Sequence, residues 1–458
     1  MSQNREQWGS KLGFILAATG SAVGIGNIWK YPSIAGQNGG GAFTLIYLVC
    51  IFIVGLSIVV AEFVIGRKTQ LSPVGAFEKL APNSNWNWVG YLGVASAFVI
   101  LSFYGVVGGW ILKYIIDSIS GGFSSLSGNP EVAGTVFDSF VTSSFSPILY
   151  QVLFMGFCIF VIVQGVKGGI EKWSKIMMPI IIVLLGVLAI RGMTLEGGME
   201  GLSFLFNPRF EDLTASAIVL ALGHSFFTVS LGMGTMITYG SYLDKKQNLM
   251  TSAVWVIFLD TAIAMLAGVA IFTTVFALGA NPAEGPGLIF VILPSIFPQL
   301  AGGAIWGTLF FILLFMAALT SAISILEVVT AYFIDQKGWS RKKATIQFGG
   351  IITIVGVFCS LSLGGGINLT GFLGMPFFDV MDYLSSKYML PIGGMLTAIF
   401  ILNKWGLKEY MNELRQGMDN MSLSENLIKI FLIIAATIVA FIIFNEIYFA
   451  IVGKALIG

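Results

Sequence analysis

The sequence predicts an all-α, polytopic membrane protein with eleven transmembrane helices, of which the first and sixth are discontinuous. Three observations predict this fold class. The 458 residues are 56% hydrophobic and only 10% charged, against roughly 25% charged in a soluble domain. Apolar runs of about 20 residues, the length that crosses the hydrocarbon core of a bilayer, recur almost from end to end. Gly-x-Gly triplets at mid-span interrupt two of these runs.

Charged residues and Gly/Pro breaks divide the apolar runs into eleven predicted spans, whereas a β-barrel would need short alternating segments. We interpret residues 1–458 as one integral membrane domain, with a first repeat over 1–192, an inverted second repeat over 213–402, and an additional helix over 426–453. The predicted spans are 11–36, 41–67, 88–119, 145–165, 171–192, 213–240, 248–279, 303–335, 342–363, 375–402 and 426–453.

Charge and cysteine content narrow the function classes. The net charge of +1, with no basic stripe, excludes a nucleic-acid partner.

Most of the 24 basic residues lie in segments that are inside if the amino terminus is cytoplasmic, and the positive-inside rule predicts that orientation. Cys50, Cys158 and Cys359 each lie in an apolar run and are expected to be packed free thiols. The segment 287–300 is too short to span and is expected to cap the extracellular side.

The glycine triplets at 24–26 and 232–234 occupy corresponding places in spans one and six. These spans are five apart, so their chain directions across the membrane are opposite, which is typical of an inverted repeat. Either triplet alone could serve close helix packing. Two matched interruptions instead indicate a binding site at the midplane, because irregular backbone in a membrane must be buried in protein or line a cavity. We expect the outer half-helices to present N–H groups to an anion, and unwound carbonyls to suit cations.

Several motifs together resemble the neurotransmitter:sodium symporter family. They are "REQWGSKLGFILAATGSAVGIGNIWKYP", "NGGGAF", "SFYGVVGGW", "SFFTVSLGMGTMITYGSY", "LTSAISILE" and "FFDVMDYL". The resemblance, to bacterial LeuT-like amino acid transporters, implies a LeuT-type 5+5 inverted repeat in a bacterial inner membrane. It further implies sodium-coupled uptake of an amino acid by alternating access rather than an enzymatic activity.

The resemblance also implies two sodium sites made of oxygen ligands, which hard cations prefer. The first would use Ala22, Asn27, Thr228 and Asp260, and the second would use Gly20, Val23, Ala317, Thr320 and Ser321. The two adjacent hydroxyls of the second site could alternatively bond back to the preceding helical turn.

Substrate contacts carried over from the family would cluster at the same breaks. The carboxylate would meet Ile25, Gly26 and Tyr104, and the amino group would meet carbonyls of Ala22, Phe227 and Thr228 near Ser230. Ile100, Met233, Ser321 and Ile325 would line the side-chain pocket, with Phe227 and Tyr104 closing it from outside. Met233 stands where many relatives have phenylalanine, which predicts a bulky apolar or aromatic substrate unless Met233 only fills space.

Two gates follow from the same resemblance. Lys30 and Asp382 match the outer ion pair, where a lysine in place of the usual arginine cannot form a bidentate fork and favours a looser, water-bridged contact. Arg5 and Asp335 match the inner pair, with Trp8 packed over it and Tyr242 bracing it. The inner pair could alternatively be an ordinary surface salt bridge.

Three residues depart from the family pattern or need a partner. Asp260 replaces the asparagine of chloride-dependent relatives, which hold chloride near the tyrosine matching Tyr47; its fixed carboxylate predicts that no chloride is needed. His224, where relatives often carry glutamine, is either a core residue or a proton-sensitive contact to the outer gate. Glu62 is expected to accept hydrogen bonds from the broken sixth helix, or to be a helix-end carboxylate.

Other functions remain open at this point. A sodium-independent exchanger on the same fold is disfavoured by Asn27, Thr320 and Ser321. An intramembrane aspartyl protease could use Asp260 and Asp382, but that family's Gly-x-Gly-Asp motif is absent. A sensor that binds without transporting, and the choice between monomer and homodimer, are not decided by sequence.

Overall fold

The computed structural model describes residues 5–283, 285, 287–364, 374–418 and 423–452. Among these residues, nine helices are long and apolar enough to cross a membrane. They are Gly41–Thr69, Asn87–Ile119, Ser146–Val163, Val166–Met193, Leu249–Ala277, Gly303–Lys337, Arg341–Leu361, Phe377–Trp405 and Glu425–Tyr448. These bounds lie within a few residues of the predicted spans. The largest difference is in the fifth span, which begins at Val166 in the structure and was predicted to begin at residue 171.

The first and sixth spans are discontinuous, as predicted. The first consists of Lys11–Ala22 and Gly26–Gln37, whose axes differ by 50°. The sixth consists of Ala215–Thr228 and Thr235–Gly240. In the part of the chain that the structure describes, the nine continuous helices and these two broken spans correspond to the eleven predicted spans. Shorter connecting helices in the described part of the chain include Pro73–Leu80, Pro130–Val141, Gly198–Phe206, Leu288–Gln299 and Leu407–Leu414.

Polar side chains and glycines fix where the helices begin and end. Ser10 caps the first helix by accepting the N–H of Gly13 at 3.0 Å, and Asn248 caps the seventh span by accepting the N–H of Thr251 at 3.0 Å. Gly338 ends the eighth span in the left-handed conformation, with φ at 65°. Residues at the helix ends themselves therefore specify where these helices begin and end.

The segment predicted to be a short cap is helical in the structure, and the predicted free thiols are confirmed. The cap residues form the helix Leu288–Gln299, which Tyr114 holds by donating to the Phe290 carbonyl at 2.9 Å. Cys50, Cys158 and Cys359 are buried free thiols. We call outer the side of the bundle that carries this cap helix, and inner the side that carries Arg5.

Close helix contacts bring the second and third spans against the second interruption. A Cβ atom at Gly66 would lie 2.1 Å from the carbonyl oxygen of Ile237, in the inner half of the sixth span. A Cβ atom at Gly93 would lie 3.3 Å from the amide nitrogen of Gly234. These glycines let backbones approach where larger residues would hold them apart.

We expect Gly66→Ala to destabilise the bundle, because the added methyl overlaps a carbonyl that cannot move without shifting the sixth span. Overpacking of this kind costs about 1–3 kcal/mol. Thermal unfolding of the purified protein in detergent should show a midpoint several degrees below wild type. Gly186→Ala is the matched control, since nothing lies within 4 Å of a Cβ atom at that helical position. Equal midpoints for the two variants would contradict the close approach.

Candidate functional site

The two interruptions face each other inside the bundle. In the first, the helix ends at Ala22, whose neighbour Val23 still donates its N–H to Thr19 at 2.7 Å. In the second, Ser230, Gly232 and Gly234 all have positive φ angles, of 53°, 77° and 76°. Ser230 joins the breaks by donating its hydroxyl to the Ser21 carbonyl at 2.9 Å. A non-glycine residue at positive φ is strained, so this conformation is held by the surrounding contacts.

Side chains from neighbouring spans satisfy the freed backbone. Glu62 is fully buried and accepts the N–H of Gly232 at 2.8 Å, which confirms the prediction that it serves the broken sixth helix. Tyr104 accepts the N–H of Ile25 at 3.3 Å. Each bond matters because an unpaired amide away from water costs several kcal/mol.

One expectation about the half-helices is wrong for the sixth span. The outer half of the first span begins at Gly26 and points its N–H end at the break. The outer half of the sixth span ends at Thr228. The two halves lie side by side, since a Cβ atom at Gly26 would lie 3.3 Å from the Phe227 ring. Because the two spans run in opposite directions, this neighbour presents its carbonyl end to the site. Of the two outer halves, one therefore presents its N–H end to the site and the other its carbonyl end.

Three of the residues predicted for the first sodium site, Asn27, Thr228 and Asp260, form a buried oxygen-rich cluster. Asn27 donates its amide N–H to Asp260 Oδ1 at 2.8 Å and to the Asp260 carbonyl at 3.2 Å. Asp260 Oδ2, Thr228 Oγ1 and Tyr47 Oη are buried and have no hydrogen-bond partner among the residues that the structure describes. A carboxylate with two unpartnered oxygen atoms beside it is the environment that a hard cation would satisfy.

The residues predicted for the second sodium site also come together. Ser321 Oγ lies 3.1 Å from the Val23 carbonyl and 3.4 Å from the Gly20 carbonyl. Thr320 Oγ1 lies 2.9 Å from the Ala317 carbonyl and 3.5 Å from the Val23 carbonyl. Thr320 also bonds back to the Met316 carbonyl at 3.1 Å, so the alternative reading holds for that hydroxyl in part. Ser321 instead reaches across to the first span.

The predicted substrate residues divide into two groups. Ile25, Tyr104 and Phe227 line a cavity of about 220 Å³ on the outer side. The remaining residues are buried at the level of the breaks and do not line that cavity. They are Ala22, Gly26, Ile100, Thr228, Ser230, Met233, Ser321 and Ile325. Tyr104 and Phe227 therefore lie at the floor of the outer cavity, above the predicted side-chain pocket.

Gly24 shows how tightly the site is built. A Cβ atom there would lie 2.4 Å from Ser321 Oγ and 2.8 Å from Tyr104 Oη. Side chains from the eighth and third spans thus converge on the first break, and only glycine leaves them room.

At the outer gate, Lys30 and Asp382 line the same cavity without a direct ion pair between them. The Lys30 ammonium lies 4.2 Å from the centre of the Phe227 ring, a cation–π contact. Asp382 accepts the hydroxyl of Ser386 at 2.7 Å. This arrangement agrees with a looser gate than a bidentate arginine would make.

At the inner gate, Arg5 forms the predicted ion pair with Asp335. The Arg5 guanidinium also donates to Ser241 Oγ at 2.7 Å and lies 4.6 Å from the centre of the Tyr242 ring. Trp8 donates its indole N–H to the Tyr239 carbonyl at 3.0 Å. The four contacts make a closed network over the inner end of the first span rather than an isolated surface pair.

Sequence reasoning missed the second layer of the inner network. Glu327, fully buried in the eighth span, accepts from Tyr242 Oη at 2.5 Å and pairs with Arg341 at 2.6 Å. Arg341 in turn pairs with Glu6 at 2.8 Å. A lone carboxylate in the apolar run "ISILEVVTA" is the signal that could have identified this layer, because such a group needs a partner.

His224 lies between aromatic rings. Its ring centre is 5.3 Å from that of Tyr47 and 6.2 Å from that of Tyr31. Neither ring nitrogen has a hydrogen-bond partner among the described residues. It lines a cavity of about 80 Å³ that Lys30 also lines. Within the described ranges, no group of three or more His, Cys, Asp or Glu residues could hold a metal ion.

The chain matches the model of the sodium:neurotransmitter symporter family over residues 5–129 and 141–454. It belongs to this family. It is 42% identical to the sodium-dependent transporter YhdH of Bacillus subtilis, with 91% of this chain and 92% of the relative aligned. A sodium-dependent transporter of Haemophilus influenzae is 35% identical, over 87% and 89%.

A solved structure gives the same result for the fold. The crystal structure of MhsT in complex with L-phenylalanine is similar with a TM-score of 0.88 and 46% identity, covering 96% of this chain and 99% of that one. The chain is therefore a multi-pass, sodium-dependent transporter with the LeuT-type fold, and not an enzyme.

We expect Glu62→Ala to weaken sodium-dependent stabilisation, since it leaves the buried N–H of Gly232 without an acceptor, at a cost of about 1–3 kcal/mol. Glu62→Gln keeps a carbonyl oxygen and should stay near wild type. Thermal unfolding in sodium and in potassium buffers measures the effect, as the difference between the two midpoints. A Glu62→Ala protein with the full sodium-dependent shift would show that the bond does not shape the site.

Proposed function

We propose that the protein couples the sodium gradient to uptake of a bulky hydrophobic or aromatic L-amino acid by alternating access, without chloride. The observation that carries this proposal is the buried Asp260 carboxylate, bonded to Asn27 through one oxygen and unpartnered at the other. A fixed negative charge at this depth needs a cation as partner.

Two sodium sites follow from the two oxygen clusters. Asp260, Asn27, Thr228 and the Ala22 carbonyl would hold the first ion. The second sodium ion would displace the hydroxyls of Thr320 and Ser321 from their present carbonyl partners. It would bind these two hydroxyls and the carbonyls of Gly20, Val23 and Ala317. In this proposal sodium is cargo, and its binding replaces hydrogen bonds that join the first span to the eighth.

The meeting of opposite helix ends supports a zwitterionic substrate. The amides of Ile25 and Gly26 stand at the N–H end of one half-helix, which favours a carboxylate. The carbonyls near Thr228 stand at the end of the other, which favours an ammonium group. Met233 and the complex of the similar MhsT with L-phenylalanine support an aromatic or bulky apolar side chain.

The two gates support alternating access. The inner network around Arg5 is joined by several charged and aromatic contacts, whereas the outer cavity ends at Lys30 and Asp382 without an ion pair. This arrangement fits a transporter closed toward the inside. We infer a cytoplasmic amino terminus in a bacterial inner membrane, and function as a monomer or homodimer.

Uptake by purified protein in proteoliposomes tests the function directly. A panel of radiolabelled amino acids would be supplied under an inward sodium gradient, with potassium replacing sodium in the control. We expect accumulation of phenylalanine, tyrosine or leucine only with sodium. Equal flux in potassium would support the sodium-independent exchanger, and binding without accumulation would support the sensor.

Substrate size gives a second test on the same material. We expect unlabelled tyrosine or leucine to compete with the transported label at least about tenfold better than glycine or alanine, because small side chains leave apolar pocket surface unfilled. Better competition by glycine or alanine would contradict the assignment of a bulky substrate.

We expect wild-type uptake to be unchanged when gluconate replaces chloride. In chloride-free buffer, uptake by Asp260→Asn should be at least about tenfold lower than uptake by wild type, because the sodium site loses its fixed charge. Added chloride should restore part of that activity. Asp117→Asn, in a half-buried pair with Lys113 away from the breaks, is the matched control. Chloride dependence of the wild type, or full chloride-free activity of Asp260→Asn, would contradict the proposal.

A further inference from the structure

A groove on the membrane-facing surface has no role in the transport mechanism above. It lies between the inner halves of the third, eighth and ninth spans and encloses about 420 Å³, against about 220 Å³ for the outer cavity. Six of its ten lining residues are aromatic. They are Trp88, Tyr91, Phe98, Tyr332, Phe333 and Phe348.

The groove is built into the bundle rather than left by a loose contact. Its rings form a continuous series, with Tyr91 at 5.9 Å from Tyr332, Tyr332 at 4.8 Å from Phe333, and Phe333 stacked on Phe348 at 3.7 Å. Ala95, small and exposed, leaves the space open on the third span. Aromatic side chains at this depth are typical of the membrane–water interface.

Positive charge stands at the inner end of the groove. Trp339 lies 5.1 Å from Phe333 and 5.9 Å from Phe348, and the Lys343 ammonium lies 4.2 Å from the Trp339 ring. Lys337, Lys342 and Lys343 are exposed, and in the part of the chain that the structure describes none of them pairs with a carboxylate. Their charge is therefore free to meet an anion from the membrane.

An apolar channel that ends in free lysines matches an amphipathic anion. We propose that the groove binds an acyl chain of an anionic phospholipid from the inner leaflet, with the phosphate on Lys342 and Lys343. Lysines near a membrane surface attract anionic headgroups, and the aromatic walls suit a hydrocarbon chain.

The position of the groove gives this lipid a route to the transport site. The third span lines the groove through Val94 and Ala95, while a Cβ atom at the adjacent Gly93 would lie 3.3 Å from the Gly234 amide. In the eighth span, Val329 lines the groove and its neighbour Val328 lies 3.6 Å from a Cβ atom built on Gly234. A bound chain would thus support both helices directly behind the second interruption.

Native mass spectrometry of delipidated protein, titrated with phosphatidylglycerol or phosphatidylcholine, tests the proposal. We expect one phosphatidylglycerol to be retained about tenfold more tightly than phosphatidylcholine, as two lysines at a membrane surface would provide. Ala95→Trp, which fills the groove, should lower that retention about tenfold. Val187→Trp, at a lipid-facing position of the fifth span that is 41% exposed, should not.

If Ala95→Trp folds poorly, a second variant can still test the proposal. The double variant Lys342→Glu/Lys343→Glu changes only exposed positions and should abolish the preference for phosphatidylglycerol, whereas Lys404→Glu should retain it. Equal retention of both lipids by the wild type would overturn the proposal, and so would wild-type retention by a folded Ala95→Trp. A dimer that Ala95→Trp dissociates would also overturn it, because a second copy would then occupy the groove.

Discussion

The backbone of two interrupted helices has to be satisfied at the centre of a membrane protein, where no bulk water is present. The main contacts at the site provide hydrogen-bond partners for this backbone. Ser230 ties the second break to the first, Glu62 holds the Gly232 amide, and Ser321 bonds to carbonyls of the first span. These partners come from different spans, so the unwound segments are fixed only when the whole bundle is assembled.

The same contacts explain how binding could be coupled to movement. The hydroxyls of Thr320 and Ser321 bridge the first and eighth spans by contacting the Val23 carbonyl, one of the oxygen atoms proposed to bind sodium. The inner ends of those spans are joined again by Arg5 and Asp335. An ion that changes the bridge at the midplane therefore acts on two helices whose inner ends are held together by charge.

Much of the fold and of the site was predictable, because membrane helices are marked by long apolar runs and by the glycines that interrupt them. Apolar length gave the spans, Gly-x-Gly at matched positions gave the two breaks, and the family motifs gave the sodium-dependent class. The direction of the sixth half-helix was misjudged because a motif does not state which end of a helix meets the site. The Glu327–Arg341 layer was missed because a lone carboxylate shows only that a partner is needed, and the folded bundle decides that Arg341 and Tyr242 are the partners.

The sequence by itself determined the number and order of the spans, the oxygen-bearing residues at the breaks and the negative charge of Asp260, since these depend on composition and spacing along one chain. Only the tertiary structure decided which oxygen atoms remain unpartnered, that Lys30 lies on Phe227 instead of pairing with Asp382, and that the third, eighth and ninth spans leave a groove between them. The physical reason is that hydrogen-bond satisfaction and packing are properties of several helices at once.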